Sequence, residues 1–416
     1  MQSTWISLSF WLLGIAFFSY LVASIAYAAG VIGARRAAVV PALAGAGGPG
    51  AAAGTAWYRT APELAFRLLT LGTAAHALGI LARWQGAGHW PTSNMYEFVG
   101  FMAFTSMLAF QVLYRMYRLP ALGTVVAPLA VVILAYAYVF PKEVKPLIPA
   151  LQSYWLWLHV STAALGEGFF AVAFGAALLY LVRTRDRAGR WGAAALEGVL
   201  WAILTLFAFT VLAYGLRNVA GMQWVFSLDG KTVLYHLPPV IGPAGAAVGE
   251  KGTLLGLPLP LVAAPAALKG KNLNTLLFSV LAGTLLYYAL RGLLLRGRPL
   301  GEGFAGLVRG LDEDILDEVS YRAIAIGYPI FTLGGLVFAM IWAKEAWGRY
   351  WFWDPKETWA FITWLTYSGY LHLRINKGWA GRPSAWAAVL GFGVVLFTLI
   401  GVNLLIVGLH SYVGGD

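Results

Sequence analysis

The sequence contains no cysteine among its 416 residues. This absence excludes disulfide bonds, thiolate metal sites and catalysis by a thiol of the chain itself. Any thiol chemistry in which the protein takes part must therefore come from a partner.

Charged residues are also scarce. They make up 11% of the chain, against about a quarter in soluble globular proteins, while 60% of the residues are hydrophobic. This composition excludes a soluble protein and predicts an all-α polytopic membrane protein, because helices satisfy their own backbone groups in lipid. A net charge of +11 would suggest phosphate contacts in a nucleic-acid-binding protein. Here we expect the basic residues to anchor cytoplasmic loops, and we expect no nucleic-acid partner.

Long apolar runs predict about ten transmembrane helices, since about 20 apolar residues cross the bilayer. The first run lacks a basic leading segment, which is typical of a span rather than of a cleavable signal. The predicted spans are 5–33, 62–84, 95–114, 121–140, 156–182, 194–215, 273–295, 321–343, 357–373 and 384–408. An amphipathic stretch at 310–323, which is rich in Asp and Glu, predicts a cytoplasmic surface helix before the eighth span.

The distribution of basic residues predicts the orientation. Most of the 29 lysines and arginines fall in alternate connections, which we expect to be cytoplasmic. These clusters are Arg35/Arg36/Arg59/Arg67, Arg115/Arg118, Arg183/Arg185/Arg187/Arg190, Arg291/Arg296/Arg298/Arg309/Arg322 and Arg374/Lys377/Arg382. Both termini and the segment 342–356 are then predicted on the outer side of the membrane.

Tryptophan is concentrated in one segment. Six of the 18 tryptophans lie in a short stretch between two apolar runs: Trp342, Trp347, Trp351, Trp353, Trp359 and Trp364. Enrichment of Trp at membrane interfaces explains two or three of these rings, but not six. Broad rings with interspersed cations suit a large, flat, apolar ligand that has carboxylates, such as a porphyrin.

The six histidines include two in matching positions. His159 begins a span from the outer side, and His410 ends the last span on that side. Two imidazoles can hold one haem iron axially. The pair therefore predicts either a haem site or two interfacial histidines that bond water or backbone.

Several motifs resemble one known family. WGRYWFWDPKETW resembles the Trp-rich "WWD" signature of haem-handling membrane proteins. The stretches ITWLTYSGYLHLR, GVNLLIVGLHSY and GHWPTSNMYEF resemble the CcsA/ResC branch, which belongs to System II of cytochrome c biogenesis. The resemblance covers about 1–183 and 300–416.

The resemblance implies functions for three histidines. His159 and His410 would be external ligands of haem b, and His372 would be a transmembrane haem ligand. The opposite ligand of His372 would come from a CcsB/ResB-type membrane partner. His76 is the other histidine within a span. It lies about 21 Å from the inner end of its helix, against about 3 Å for His372, which argues against direct pairing of the two.

Further residues are candidates around the haem. Trp347, Trp351 and Trp353 are predicted to stack on the ring. Asp354, which precedes a proline, is predicted either to belong to the haem site or to organise the loop through its backbone. Propionate partners are predicted among Arg349, Lys344, Lys356 and Arg83. His76 and His89 are weaker candidates for a functional role, and His236 is expected to be incidental.

The resemblance implies a three-part chain. Residues 1–183 would hold five spans, the GHWPTSNMYE turn and His159. Residues 184–299 would be an inserted pair of spans with an external loop, to which we assign no function. Residues 300–416 would be the haem-handling core.

The implied function is transport of haem and its covalent attachment to apocytochrome c bearing Cys-x-x-Cys-His. The synthase would be the complex with the CcsB/ResB-type partner, with a thiol-reducing partner beside it. The membrane would be a cytoplasmic or thylakoid-type membrane. A haem exporter or chaperone without synthase activity is the alternative hypothesis. A dihaem, quinone-linked electron-transfer subunit is a third hypothesis.

Overall fold

The computed structural model describes residues 2–44, 57–218, 223–228, 231–265 and 268–402. Its first six helices are α1 Gln2–Ala44, α2 Trp57–Ala87, α3 Met95–Tyr117, α4 Pro120–Ala137, α5 Tyr154–Arg183 and α6 Arg190–Asn218. The later helices are α7 Gly270–Ala289, α8 Leu300–Val308, α9 Glu313–Phe331, α10 Ala339–Trp347, α11 Pro355–Lys377 and α12 Arg382–Leu396. Segments of π-helix continue α7, join α9 to α10 and continue α12, at Leu290–Leu294, Thr332–Phe338 and Phe397–Gly401.

Over the described residues, nine helices are long and apolar enough to cross a membrane, with Glu313–Trp347 counted as one. The prediction of an all-α polytopic membrane protein is thus confirmed. The predicted span 357–373 lies within α11, a 23-residue helix that is not among the nine. The composition of α11 is less apolar than that of the nine, and three of its polar residues are buried: Thr363, Tyr367 and Tyr370.

The predicted surface helix at 310–323 does not form separately. Asp312 caps α9 by accepting from the backbone N–H groups of Asp314 and Ile315, and the helix then runs on into the span. Leu316 and Val319 are fully buried, and Glu313 pairs with Arg187 at 2.5 Å. The stretch is amphipathic because its apolar face packs inside the protein.

The loop between α6 and α7 contains short strands that the sequence did not predict. Strands β1 Trp224–Leu228 and β2 Lys231–Tyr235 form an antiparallel hairpin in which Trp224 pairs with Tyr235. The four further strands are β3 Ile241–Gly242, β4 Thr253–Leu254, β5 Leu257–Pro258 and β6 Val262–Ala263. A small apolar core holds this loop together, made of Phe226, Tyr235 and Ala246.

The chain divides into two compact units. The first comprises the residues up to Ala188, Glu302–Phe352 and Ala360–Gly393, and its core is formed where α5 packs against α3 and α9. The second comprises Gly189–Gly301, Trp353–Trp359 and the residues from Val394 onward. In the second unit, α6 packs on α7, and Glu197 accepts hydrogen bonds from Tyr287 Oη, Leu300 N and Gly301 N. The three-part division drawn from the sequence stays a prediction.

Candidate functional site

His159 lies in the second turn of α5. Its Nδ1 is 2.8 Å from the carbonyl oxygen of Gly334. Because a carbonyl oxygen only accepts, Nδ1 must hold a hydrogen, and the lone pair of the neutral ring is then on Nε2. Metal-ligating histidines are oriented by a hydrogen bond of this kind from the second ring nitrogen.

Glycines set the distance between α5 and the π-helical segment Thr332–Phe338. A Cβ on Gly334 would lie 2.2 Å from the backbone nitrogen of Ala163, and a Cβ on Gly166 would lie 2.8 Å from the backbone nitrogen of Phe331. Only glycine allows this approach, which brings the Gly334 carbonyl to His159. Single π-helical turns within α-helices occur frequently at functional sites.

Trp342 fixes the other side of His159. The two rings are nearly parallel, with 12° between their planes and 5.9 Å between their centroids. Trp342 is 3% exposed, and its Nε1 donates to the Ala150 carbonyl at 2.9 Å. Trp347 packs edge-on against Trp342, with 6.3 Å between the ring centroids. A rigid indole pair therefore lies beside the predicted ligand.

The start of α5 is tied to the helix that contains Trp342. The Ser153 hydroxyl accepts from Trp155 N, which caps α5, and donates to the Glu345 carboxylate. The hydrogen bonds of Ser153 to Glu345 and of Trp342 to Ala150 hold α10 against the start of α5. Two separate hydrogen bonds therefore fix the position of His159 relative to Trp342.

Two predicted propionate partners are exposed in the first unit. Lys344 donates to the Gly348 carbonyl at 3.0 Å, where Gly348, at φ +79°, ends α10. The Arg349 guanidinium lies 5.5 Å from the centre of the Phe352 ring. Trp351 packs edge-on against Phe361, with 6.2 Å between the ring centroids. The structure thus provides exposed cations and aromatic rings in the same short segment.

The motif that contains Asp354 forms the start of α11. Asp354 is buried, its carboxylate accepts from Lys356 N, and its own N–H donates to the Glu357 carboxylate. With Pro355 in the first helical position, this is the reciprocal arrangement of a capping box. The alternative in which Asp354 organises the loop is therefore supported. Trp353, just before it, has φ +58° and is 67% exposed.

Lys356 precedes the predicted span 357–373. Burial lowers the pKa of its ammonium to about 8, and the Asp354 carboxylate opposes this change. A carboxylate ligand beside Lys356 would favour the charged form in the same way as Asp354.

The end of α12 belongs to the second unit. Trp359 packs on Phe397 with 4.2 Å between the ring centroids, and Thr398 donates to the Trp359 carbonyl. The chain then leads toward His410. His410 and the motif GVNLLIVGLHSY lie outside the described residues or at their edge, so their geometry stays a prediction.

His372 lies on the exposed face of α11. Its Nδ1 is 3.1 Å from Nδ2 of Asn376, one turn later. Arg374, in contrast, points toward Asp317, at 2.6 Å. The His372 ring is therefore accessible from outside the chain, and its function as a haem ligand stays a prediction.

His76 is fully buried. Its Nδ1 lies 3.3 Å from the Tyr20 hydroxyl of α1, and its ring meets Phe104 of α3 edge-on. His76 thus connects neighbouring helices, and a functional role for it stays a prediction.

The GHWPTSNMYE turn lies beside His159. His89 Nδ1 is 3.2 Å from the Trp90 carbonyl, and Trp90 Nε1 donates to Ser161, two residues after His159. The structure therefore brings together two motifs that are about 70 residues apart in the sequence.

Arg83 is buried and paired with Glu97. Their nitrogen–oxygen distance is 2.7 Å, and both side chains are at most 3% exposed. Arg83 also donates to the Lys142 carbonyl, and Glu97 accepts from Ser93. These contacts support a structural role at the turn, so propionate binding by Arg83 stays a prediction.

Two contacts of His159 were not predicted from the sequence. The Gly334 carbonyl orients His159, and Trp342 stacks on it. The available signal was the glycine spacing Gly327, Gly334, Gly335 in an apolar helix, which indicates close helix packing.

The fold and this site define a polytopic helical membrane protein in which a histidine near the end of a span is oriented by a hydrogen bond from its Nδ1. The chain belongs to the cytochrome c assembly protein family, whose model matches residues 92–225 and 277–410. The resemblance to the CcsA/ResC proteins is thereby confirmed.

Relatives with the name cytochrome c biogenesis protein CcsA occur in Crocosphaera subtropica and Synechocystis. The protein of Crocosphaera subtropica is 34% identical over 356 residues, which cover 83% of this chain and 88% of the relative. The Synechocystis protein is 34% identical over 352 residues, covering 80% and 82%. The matched ranges of the family model include α6 and most of α7, and leave out 226–276, which holds most of the loop between the two helices and the first residues of α7.

Proposed function

We propose that the chain presents haem b for covalent attachment to apocytochrome c, as the CcsA-type subunit of a System II synthase. The observation that supports this most is the orientation of His159. Its Nδ1–H is held by Gly334 and its ring by Trp342, which directs the Nε2 lone pair as a haem-iron ligand requires.

His410 is the proposed second axial ligand on the outer side. Trp347, Trp351 and Trp353 would bound the flat faces of the porphyrin. Among the cations, Arg349 and Lys344 are exposed near these rings, which supports them as partners of the propionates. Lys356 is the further candidate, since a carboxylate ligand would restore the charge that burial disfavours.

His372 is proposed to hold haem within the membrane, before it reaches the outer site. Its exposed position supports a shared site, in which a CcsB/ResB-type partner provides the opposite ligand. The segment from Trp347 to Asp354 and both termini would face the outer side of a cytoplasmic or thylakoid-type membrane.

The attachment reaction needs positioning more than acid–base catalysis by this chain. Each thiol of the apocytochrome Cys-x-x-Cys-His motif adds its sulfur and its hydrogen across one haem vinyl group, which forms a thioether without net oxidation. The thiols belong to the substrate, because this chain has no cysteine. Its own residues would hold the haem in a fixed orientation and would orient the imidazole at the iron.

The reduced absorption spectrum tests this function. The protein would be purified with its partner as wild type, as His159→Gly with His410→Gly, and as His236→Gly, a matched control at a histidine outside the proposed site. We expect a bis-histidine b-type spectrum that the double variant changes and added imidazole partly restores, while His236→Gly leaves it unchanged. An unchanged spectrum in the double variant would reject the outer ligand pair.

A second measurement separates synthase from exporter. Holocytochrome c formation would be followed in cells that produce the same variants. Loss of attached haem in the double variant, with recovery on imidazole addition, supports the synthase. Normal attachment in that variant, despite an altered spectrum, would contradict it and favour a haem chaperone.

A further inference from the structure

Glu167 is an acidic residue in the middle of α5, a helix that crosses the membrane. It is 7% exposed, and its Oε2 atom is fully enclosed. Among the described residues, no donor lies within hydrogen-bond distance of that oxygen. Ionisable residues within the membrane are costly, and enclosed polar atoms are nearly always paired, so Glu167 requires an explanation.

A second enclosed polar atom lies on the helix beside it. The Tyr367 ring of α11 stacks on Phe170 with 3.7 Å between centroids, and Phe170 is one turn after Glu167 on α5. Tyr367 and Glu167 are close enough to interact electrostatically. The Tyr367 hydroxyl is likewise enclosed and, within the described part of the chain, has no hydrogen-bond partner.

Polar groups continue from Tyr367 toward one end of the helices. Tyr370 follows one turn later, and its hydroxyl accepts from Ser384 of α12 at 3.1 Å. Ser384 lies 3.5 Å from Nη1 of Arg374, which is 2.6 Å from Asp317. The side chains of Arg374 and Asp317 are 15% and 12% exposed, so this end of the series reaches the surface.

The series follows one face of α11. Thr363, Tyr367, Tyr370 and Arg374 recur at the spacing of a single helical face. The first three are almost completely buried, against the usual pattern in which an interior face is apolar. A buried polar face of this length, directed at an acid in the membrane, is typical of a proton path.

Among the described residues, no charged side chain lies close enough to Glu167 to compensate its charge. Thr105 of α3 and Ser320 of α9 bond to α5 carbonyls, those of Ala164 and Ala173. Tyr367 is the titratable group that α11 brings to Glu167.

We propose that Glu167 is a proton-binding site within the membrane, connected to the Arg374–Asp317 surface through Ser384, Tyr370 and Tyr367. Water molecules would join the enclosed Glu167 and Tyr367 oxygens, because buried polar atoms that lack a protein partner are normally satisfied by ordered water. The site would thus bind a proton on the Glu167 carboxylate, together with the bridging water molecules. This function is independent of the haem assignment.

Infrared spectroscopy on the purified full chain tests the site. A protonated, buried carboxylic acid has a distinct carbonyl stretching band that shifts when the acid proton is exchanged for deuterium. We expect such a band in the wild type, its loss in Glu167→Gln, and its retention in Glu197→Gln. Glu197 is the matched control, since its carboxylate accepts three hydrogen bonds. A band that persists in Glu167→Gln would overturn the proposal.

The rate of deuterium exchange tests the path. We expect Tyr367→Phe and Ser384→Ala to keep the Glu167 band but to slow its exchange. Thr398→Ala, a hydroxyl deletion in the second unit, would leave the rate unchanged. Equal exchange rates in the wild type and the three variants would show that the proton does not pass Tyr367 or Ser384, and would overturn the proposed path.

Discussion

The imidazole of His159 and the indole of Trp342 lie face to face, with 12° between their planes. Neither ring can turn independently, because His159 is bonded to Gly334 and Trp342 to Ala150. The His159 ring is therefore oriented before the proposed haem binds. The free energy of haem binding then includes little entropic cost for ordering this side chain.

Replacing Trp342 tests this preorganisation. We expect Trp342→Ala to lower the haem content of the purified protein and to speed haem loss to an added apoprotein acceptor, because His159 regains rotational freedom. Trp342→Phe retains a flat ring and should have a smaller effect. Trp191→Phe, at a residue that is 83% exposed, is the control. Equal haem loss in all three variants would show that Trp342 does not orient the ligand.

Gly334→Ala should separate α5 from the π-helical segment. The added Cβ would lie 2.2 Å from the Ala163 nitrogen, and overpacking of this kind costs about 1–3 kcal/mol. We expect a lower melting temperature in detergent together with reduced haem content, because the Gly334 carbonyl moves away from His159. Gly369→Ala is the control, since a Cβ there meets nothing within 4 Å. Stability equal to that of the control would contradict the close packing.

Asn376 should tune the proposed haem ligand His372. Asn376 places its Nδ2 donor at His372 Nδ1, whereas the carboxylate of Asn376→Asp would place an acceptor there. An acceptor keeps the ring hydrogen on Nδ1 and the lone pair on Nε2 and raises the basicity of the ligand, so Asn376→Asp should lower the reduction potential of the haem proposed at His372. Asn376→Leu, which offers neither a donor nor an acceptor, should have the smaller effect. A redox titration of the complex with its partner measures both, with Ile375→Leu at the preceding exposed position as control. The same potential in all variants would exclude His372 as a ligand.

Asp354 should act mainly on stability. Loss of a cap costs about 0.5–2 kcal/mol, so Asp354→Ala should lower the melting temperature, whereas Asp354→Ser retains a capping oxygen and should recover most of it. Haem content per folded protein should be similar in both variants. Haem loss in Asp354→Ser at normal stability would instead place Asp354 in direct contact with the haem.

Lys356 should make stability depend on pH. Burial lowers its pKa from 10.5 to about 8, so the folded chain releases this proton while the unfolded chain still binds it. Stability then rises with pH between about 8 and 10.5. Thermal unfolding in detergent should show this rise in the wild type and a smaller one in Lys356→Met, with Lys344→Met as an exposed control. An identical pH dependence in all three would contradict the burial of Lys356.

Much of the membrane architecture could be predicted because the bilayer demands long apolar runs. The same rule fails where a helix buries polar groups among other helices, as α11 does with Tyr367 and Tyr370. Periodicity could not separate an amphipathic surface helix from the start of a span. The apolar face formed by Leu316 and Val319 has the same spacing in both structures. The short strands after Trp224 have little pattern, since each is two to five residues long.

Within the site, side-chain chemistry could be predicted and backbone chemistry could not. His159 and the tryptophans are visible as rare residues in marked positions. The Gly334 carbonyl has no side chain to reveal it, and its role depends on a π-helical turn. The pairing of Arg83 with Glu97 and the cap at Asp354 show that conspicuous charges can serve the scaffold.

The polar face of α11 has a consequence for biosynthesis. A helix with tyrosine and threonine hydroxyls along one side enters lipid poorly by itself, since each unpaired polar group meets hydrocarbon. It becomes stable in the membrane when α5, α9 and α12 surround that side. Two of these helices are made before α11 and one after it. We therefore expect α11 to leave the translocon together with α12, and to settle only once earlier helices are in place to receive it.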